Sequence, residues 1–513
     1  MHGAIILQVV DSDLLDCRLP LIPLRHAARQ GPLEAAFSVE IIAMHIDVAP
    51  LETHSHAPVG AGSWTSHIRA TLSLGIPLIG AQLAQLGIHT TDVVIVGQLG
   101  AVPLAAMVLA GQFFFTIFIF GSGFSMAVMP MVAQAYGRGD IVSVRRSIRM
   151  GMWVSILYVI LTMPLFFNAE AILLALGQKP EVAALAANYV FIIQLGLLPA
   201  LLFAVLRALV SATGRARIVL WVTLGILVLN AILAYALVLG HFGLPALGMT
   251  GAAIVAVIVQ WVSFVAMVIY IQTRDETRRY ELFVRFWRPD WQAFREVLHL
   301  GMPISVTVLA EVSLFSAASL LMGRIGTIEL AAHGIALQLA SIAFMLPLGL
   351  AQAATVRVGL AHGRGNYPEL VRASITVLGI AGLMSLSGAI LFLLVPNQLS
   401  AAFINENAPA AAEVLAYAGP LVMVAGLFQL VDGLQAIAAG LLRGLKDARV
   451  PMILALVAYW PIGFFLAWLM AFPLGIGGIG IWYGFCLGLA SAAFMLSLRF
   501  YLKVRGEMQT ARG

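Results

Sequence analysis

The chain carries an internal duplication that keeps its register without a gap. Gly75-Ile76-Pro77 returns 226 positions later as Gly301-Met302-Pro303, GQLGAVPLAA at 97–106 returns as GRIGTIELAA at 323–332, and Gly137-Arg138-Gly139-Asp140 returns as Gly363-Arg364-Gly365-Asn366. Self-similarity of this kind demands an architecture in which one unit occurs twice. The unit is strongly apolar: 61% of residues are hydrophobic and 10% charged, whereas soluble domains carry roughly a quarter charged residues. A membrane-crossing helix needs about 20 apolar residues, and windows of that length give twelve predicted spans, six in each repeat. They fall near 71–97, 104–134, 147–171, 183–211, 218–240 and 250–272, then near 298–322, 329–357, 373–395, 412–441, 450–472 and 478–501. Strands of a membrane barrel would alternate in polarity over about ten residues, and nothing here alternates. The expected fold class is an all-α polytopic membrane protein of twelve transmembrane helices.

Basic residues set the orientation. Arg138, Arg145, Arg146 and Arg149 follow the second span, Arg215 and Arg217 the fourth, and six arginines from Arg274 to Arg295 the sixth. Arg364, Arg372, Lys446 and Arg449 follow the eighth and tenth, while only Lys179 and Arg324 lie on the opposite side. Both termini are therefore expected in the cytoplasm, with the chain crossing the cell (inner) membrane. An even number of spans per repeat gives both repeats the same orientation, so they are parallel six-helix repeats around a central cavity near the midplane. The net charge of +5 serves this topology, and no nucleic-acid partner is expected. The expected domains are an amino-terminal extension at 1–65, an N-lobe at 66–272, a cytoplasmic linker at 273–296, a C-lobe at 297–505 and a tail at 506–513. The extension is read as disordered or peripheral, with a start at Met44 as the alternative. Cys17 and Cys486 are the only cysteines, which excludes a disulfide framework. In the linker, arginines interleave with Phe283, Phe286, Trp287, Trp291 and Phe294, a pattern suited to the headgroup layer.

Chemistry is sought among charges inside the spans. Of 24 acidic residues, three fall well within them: Asp92, Glu311 and Asp432. A charge at mid-helix costs about 2.5–3.5 kcal/mol on insertion scales, so such residues face a protein interior or a watery cavity and serve ions or protons. The bland alternative is a carboxylate that only fixes helix packing. Gln82, Gln85, His89 and Asp92 follow i, i+3, i+7 and i+10, one face of the first span. His89 is as well suited to hydrogen bonding as to carrying a proton. Gln429 and Gln435 flank Asp432, and Thr307 precedes Glu311 by one turn. Counted at 1.5 Å per residue, Glu311 and Asp432 both lie roughly 15 Å from the cytoplasmic end, close enough in depth to share one site.

At these residues the chain resembles the multidrug and toxic compound extrusion (MATE) transporters. The resemblance covers about 66–505 and is carried by DVVIVGQLG from Asp92, by MGRIGTIELAAHGIALQ, by Glu311 in LAEVSLF, and by QLVDGLQAIAAGLLRGLKDAR from Gln429 to Arg449. It implies two six-helix lobes around a V-shaped cavity and export of large, often cationic compounds against inward flow of H+ or Na+. By position, Asp92 resembles the N-lobe coupling carboxylate, supported by Asn230, and Glu311 with Asp432 resembles a C-lobe cation site able to hold Na+. The chain departs from the pattern at Phe428, Ala234 and Gly334.

The resulting expectation is a secondary active efflux antiporter working by alternating access, with no cofactor beyond its coupling ion, H+ or Na+. Its partners would be small-molecule drugs or metabolites and the lipid bilayer, and it would act as a monomer. Pro77, Pro303, Pro347, Pro420 and Pro461 are candidate bends or hinges. A flippase for a lipid-linked precursor is the alternative, but anionic cargo favours arginines within the spans, and Arg207 and Arg443 lie at cytoplasmic ends. Catalysis is not expected, because neither a GxxxxGK(S/T) loop nor HExxH occurs.

Overall fold

The computed structural model describes residues 63–404 and 410–511. Nearly all of the expected extension, with Cys17 and Met44, lies outside the described residues. Among those residues twelve helices are long and apolar enough to cross a membrane. They are α1 (Trp64–Gly97), α2 (Ala101–Gly137), α3 (Ile141–Phe167), α4 (Pro180–Ala212), α5 (Ala216–Leu239), α6 (Gly248–Thr273), α7 (Trp291–Ile325), α8 (Thr327–Gly363), α9 (Tyr367–Leu394), α10 (Ala411–Gly444), α11 (Arg449–Ala471) and α12 (Gly478–Thr510). The third ends earlier than its predicted span. The Asn168 amide Nδ2 donates to the Pro164 carbonyl at 2.8 Å, closing the last turn, and a separate short helix, Ala169–Ala175, follows. At the other extreme α7 starts at Trp291, where the Asp290 carboxylate accepts from the Ala293 amide at 3.1 Å, so residues 291–296 are helical rather than linker.

The repeated punctuation is turn chemistry. After α2 and again after α8, a glycine takes a left-handed conformation, Gly139 at φ +73° and Gly365 at φ +66°. The following amide returns to the finished helix, Asp140 to the Ala135 carbonyl at 2.9 Å and Asn366 to Ala361 at 3.0 Å. The same residues then cap the next helix, Asp140 Oδ1 accepting from Ser143 N at 2.9 Å and Asn366 Oδ1 from Glu369 N at 3.1 Å. Gly-Arg-Gly-Asp and Gly-Arg-Gly-Asn are thus one helix stop and one helix start fused in four residues.

The lobes share their apolar core on the side where α1 begins and α12 ends, the terminus side of the bundle, and have separate cores on the other. On the terminus side, Leu78, Phe124, Val128 and Ala133 of the N-lobe pack with Val297, Ile304, Ala353 and Val356 of the C-lobe. Away from the termini, one cluster around Ile95, Met107, Leu173 and Tyr189 belongs to the N-lobe, and another around Leu314, Phe428, Trp482 and Phe485 belongs to the C-lobe. The seam is built by backbone approach. A Cβ on Gly123 of α2 would lie 2.5 Å from the Ser305 amide nitrogen of α7, one on Gly301 of α7 2.9 Å from Phe124 Cα, and one on Gly349 of α8 2.7 Å from Ile79 Cα of α1.

A few hydrogen bonds cross the same seam. Arg357 of α8 donates from Nη1 to the His67 carbonyl of α1 at 2.9 Å and sets Nη2 against His67 Nδ1 at 2.8 Å. Gln134 Nε2 donates to the Gly444 carbonyl at 2.8 Å, and Ser305 Oγ donates to Phe120 O at 2.6 Å.

Between α6 and α7 the linker is latched onto α3. Arg149 donates from Nε to Leu282 O at 2.7 Å and from Nη2 to Glu281 O at 2.6 Å, and Trp153 Nε1 donates to Phe286 O at 3.0 Å. Linker acids pair inward, Glu281 with Arg145, Asp290 with Arg146 and Glu276 with Arg215, and the last contact holds the Glu276 carboxyl below its usual range. Trp287 and Trp291 project outward, as residues at a headgroup layer do.

Overpacking a tight contact costs about 1–3 kcal/mol, so Gly123→Val should push α2 from α7 and open the seam. The check is thiol labelling of a cysteine placed at Ala133, applied from the terminus side. Faster labelling is expected, and an unchanged rate would show that this approach does not hold the seam closed.

Candidate functional site

Where the two cores diverge, a cavity of about 390 Å3 remains between the lobes. Gln112 and Phe115 of α2 form one wall, and Glu311, Val312, Phe315, Ser316 and Ser319 of α7 form another. Leu337, Ala340, Ser341 and Phe344 of α8, with Phe428 and Asp432 of α10, complete it. Every titratable side chain on this lining is acidic. Asp432 is 3% exposed, and its Oδ1 has no hydrogen-bond partner. A buried carboxylate in apolar surroundings requires neutralisation by a proton or a cation, so the pair Glu311 and Asp432 forms a ready receiver for either.

Phe428 fills the space below, edge-on to Phe315 with ring centroids 5.9 Å apart and to Trp482 at 5.4 Å. His333 lies behind this layer, 1% exposed, with Trp482 Nε1 donating to its Nδ1 at 3.2 Å and Ser319 Oγ 3.2 Å from its Nε2.

The remaining expected residues do not reach this cavity. Asp92 sits in the N-lobe, where Asn230 of α5, itself fully buried, donates from Nδ2 to Asp92 Oδ1 at 2.8 Å. Gln82 accepts from Arg207 Nη1 at 3.3 Å, while Gln85 and His89 are exposed on α1. Thr307 donates to its own helix at the Pro303 carbonyl, 2.8 Å away, and lines a separate small pocket beside Arg443 and Asp447. Gln435 donates to the Tyr459 hydroxyl in the π-helical turn Ala458–Phe464 of α11. Gln429 lies against Gly388 of α9, whose added Cβ would sit 2.7 Å from Nε2.

The lobes are not chemical copies. In the shared register Asp92 corresponds to Ala318, and Glu311 corresponds to Gln85. The N-lobe acid therefore stands seven residues farther along its helix than the C-lobe acid along its own, about 10 Å at 1.5 Å per residue.

The MatE family signature matches residues 77–236 and 303–469, one stretch in each repeat. The chain belongs to the MatE family. Among its relatives, a protein described as probable multidrug resistance protein NorM from Agrobacterium fabrum is 68% identical over 455 residues, covering 89% of this chain and 98% of the relative. A Rhizobium meliloti protein of the same description is 63% identical over 443 residues, covering 86% and 95%. Among solved structures, the eukaryotic MATE transporter AtDTX14 superposes with a TM-score of 0.78 at 21% identity, over 87% of this chain and 99% of that one. An outward-facing MATE family transporter gives 0.78 at 19% identity, over 86% and 96%. At those identities the structures establish the MATE fold, with two parallel six-helix repeats around a central cavity.

Removing one partner of a hydrogen bond to a charged group costs about 1.5–3 kcal/mol, so Asn230→Leu should lower thermal stability while Asp92→Asn suppresses most of that loss. A double-mutant cycle of the two in melting experiments measures the coupling. Strictly additive effects would show that the contact contributes nothing.

Proposed function

We infer that this MatE family protein is a secondary active multidrug efflux antiporter that exports amphipathic, often cationic compounds in exchange for H+ or Na+ by alternating access. The observation that carries the reading is the interlobe cavity, which presents Glu311, the buried Asp432 and aromatic rings, and lies on the side of the bundle away from its closed seam. Cation and substrate compete for the same acids, so loading one favours release of the other. A single charge moving down 100 mV supplies about 2.3 kcal/mol, which drives accumulation without a nucleotide. The protein is not an enzyme and needs no cofactor. It acts as a monomer in the cell (inner) membrane with both termini in the cytoplasm, and the cavity then faces outward.

Asp92, paired with Asn230, is the second coupling carboxylate. Gln82, Gln85 and His89 support it along α1, and the cation site of the C-lobe, with Na+ as one candidate occupant, is Glu311 with Asp432. Thr307, Gln429 and Gln435 act on that site through the helices they brace. A flippase for a lipid-linked precursor is disfavoured by the cavity's charge: Arg207 and Arg443 turn to Gln82 and to the small pocket, so the only charged groups an anionic headgroup would meet on the lining are carboxylates.

Proteoliposomes with an imposed pH or Na+ gradient test the mechanism. Asp432→Asn removes a charged ligand without adding volume and should abolish ion-stimulated efflux while leaving insertion intact. Asp92→Asn mimics a permanently protonated acid. If H+-driven efflux is lost in Asp92→Asn and Na+ has no effect, the protein is a proton antiporter, whereas Na+-stimulated efflux lost in Asp432→Asn assigns sodium. Wild-type rates in both variants under both gradients would overturn the coupling role.

Expression in a pump-deficient host should also raise resistance to cationic dyes and antimicrobials. Unchanged resistance with the protein present in the membrane would refute multidrug export.

A further inference from the structure

The hydroxyl groups of the cavity share one orientation. Ser341 donates to the Leu337 carbonyl at 2.8 Å, Ser316 to Val312 at 3.3 Å and Ser319 to Phe315 at 3.2 Å, each to the carbonyl one turn earlier on its own helix. A serine that donates backward in this way keeps its lone pairs for whatever lies in front.

Proton bookkeeping around Ser319 is fixed by its neighbours. An indole N–H can only donate, so His333 Nδ1, which faces Trp482 Nε1 at 3.2 Å, must be the unprotonated nitrogen. The imidazole is then neutral with its hydrogen on Nε2, and that hydrogen points at Ser319 Oγ, 3.2 Å away. Ser319 therefore accepts from His333, donates to Phe315 and retains one lone pair. The Phe315 carbonyl engages the Ser319 hydrogen, and His333 is a positioning residue that holds the Ser319 oxygen by donating to it.

Adding the carboxylates of Glu311 and Asp432, the polar lining consists of acceptors, apart from the amide of Gln112. An occupant that only carries positive charge satisfies the acids but leaves the free lone pairs of the hydroxyls without a donor once water is displaced. One that also carries N–H groups satisfies both. We propose that the cavity selects cations bearing N–H donors, namely protonated amines and guanidiniums, over permanently quaternised cations of the same shape and charge. This rests on the cavity being the substrate site of the efflux reading above and names the chemical class that the site takes.

The test uses a matched pair, a lipophilic aromatic tertiary amine and its N-methylated quaternary salt, at a pH where the amine is fully protonated. Equilibrium binding to the purified full-length protein is measured beside competition against gradient-driven dye efflux in proteoliposomes. A site that hydrogen-bonds an N–H discriminates strongly against the analogue lacking it, so the amine should bind and compete about tenfold more tightly. That margin should narrow to about twofold in the Ser319→Ala/Ser341→Ala variant. His333→Gln is the second variant and should also narrow it. Equal affinities in the wild-type protein, a margin untouched by the serine variant, or binding of neither compound would overturn the proposal. Discrimination in binding without gradient-driven efflux would support the site and refute the antiport reading, and efflux of both compounds alike would do the reverse.

Discussion

Helices that meet at backbone distance decide the architecture of this protein. In a membrane there is little hydrophobic advantage in bringing two apolar helices together, so close van der Waals packing must hold them. Glycines at 123, 301 and 349 permit it by giving up their side chains where α2 meets α7 and where α1 meets α8. Because these approaches all lie toward the side where α1 begins and α12 ends, the lobes join there and splay apart beyond, and the cavity follows from that geometry. Arg357 with His67, and Gln134 with the Gly444 carbonyl, tie the same seam with directional bonds.

A second constraint concerns polar groups. With no water in the hydrocarbon, hydroxyls turn to their own helices, as Thr307, Ser316 and Ser341 do. Arginines near the terminus side are absorbed by carbonyls, amides and acids: Arg149 by the linker, Arg207 by Gln82, Arg145 by Glu281. What remains unanswered in the cavity is negative. The proposed selectivity for positive charge thus rests on cations and hydroxyl hydrogens being engaged elsewhere.

The twelve spans were legible because apolar length is a local property of a sequence, and the repeated Gly-Arg-Gly motif was legible because helix stop and start signals are local too. The acids stood out for the same reason, being rare in apolar surroundings. Their neighbours were harder to read. Successive residues turn about 100° on a helix, so Gln429 and Gln435, three positions either side of Asp432, point about 120° apart, one toward α9 and the other toward Tyr459 of α11. Thr307 shares a face with Glu311 but lies a turn lower, in a different pocket. The recurrence of Glu311, Phe315 and Ser319 at i, i+4 and i+8 was available in the sequence and marks the face that lines the cavity. The wall from α2, Gln112 and Phe115, was not, because it depends on how the lobes meet. The π-helical turn at Ala458–Phe464 likewise arises in context, around Pro461.

The exchange of acid positions between the repeats bears on the ancestry of the chain. Parallel repeats allow a single six-helix unit to form a two-fold dimer about the membrane normal, with each subunit offering the same residues at the same depth. A dimer of the first half would hold two carboxylates at the level of Asp92 and two glutamines at that of Gln85; a dimer of the second half would hold four, two of Glu311 and two of Asp432, at the level of Glu311 and alanines at that of Ala318. Carboxylates at both levels therefore require two unlike halves, and covalent fusion guarantees that every molecule receives one of each.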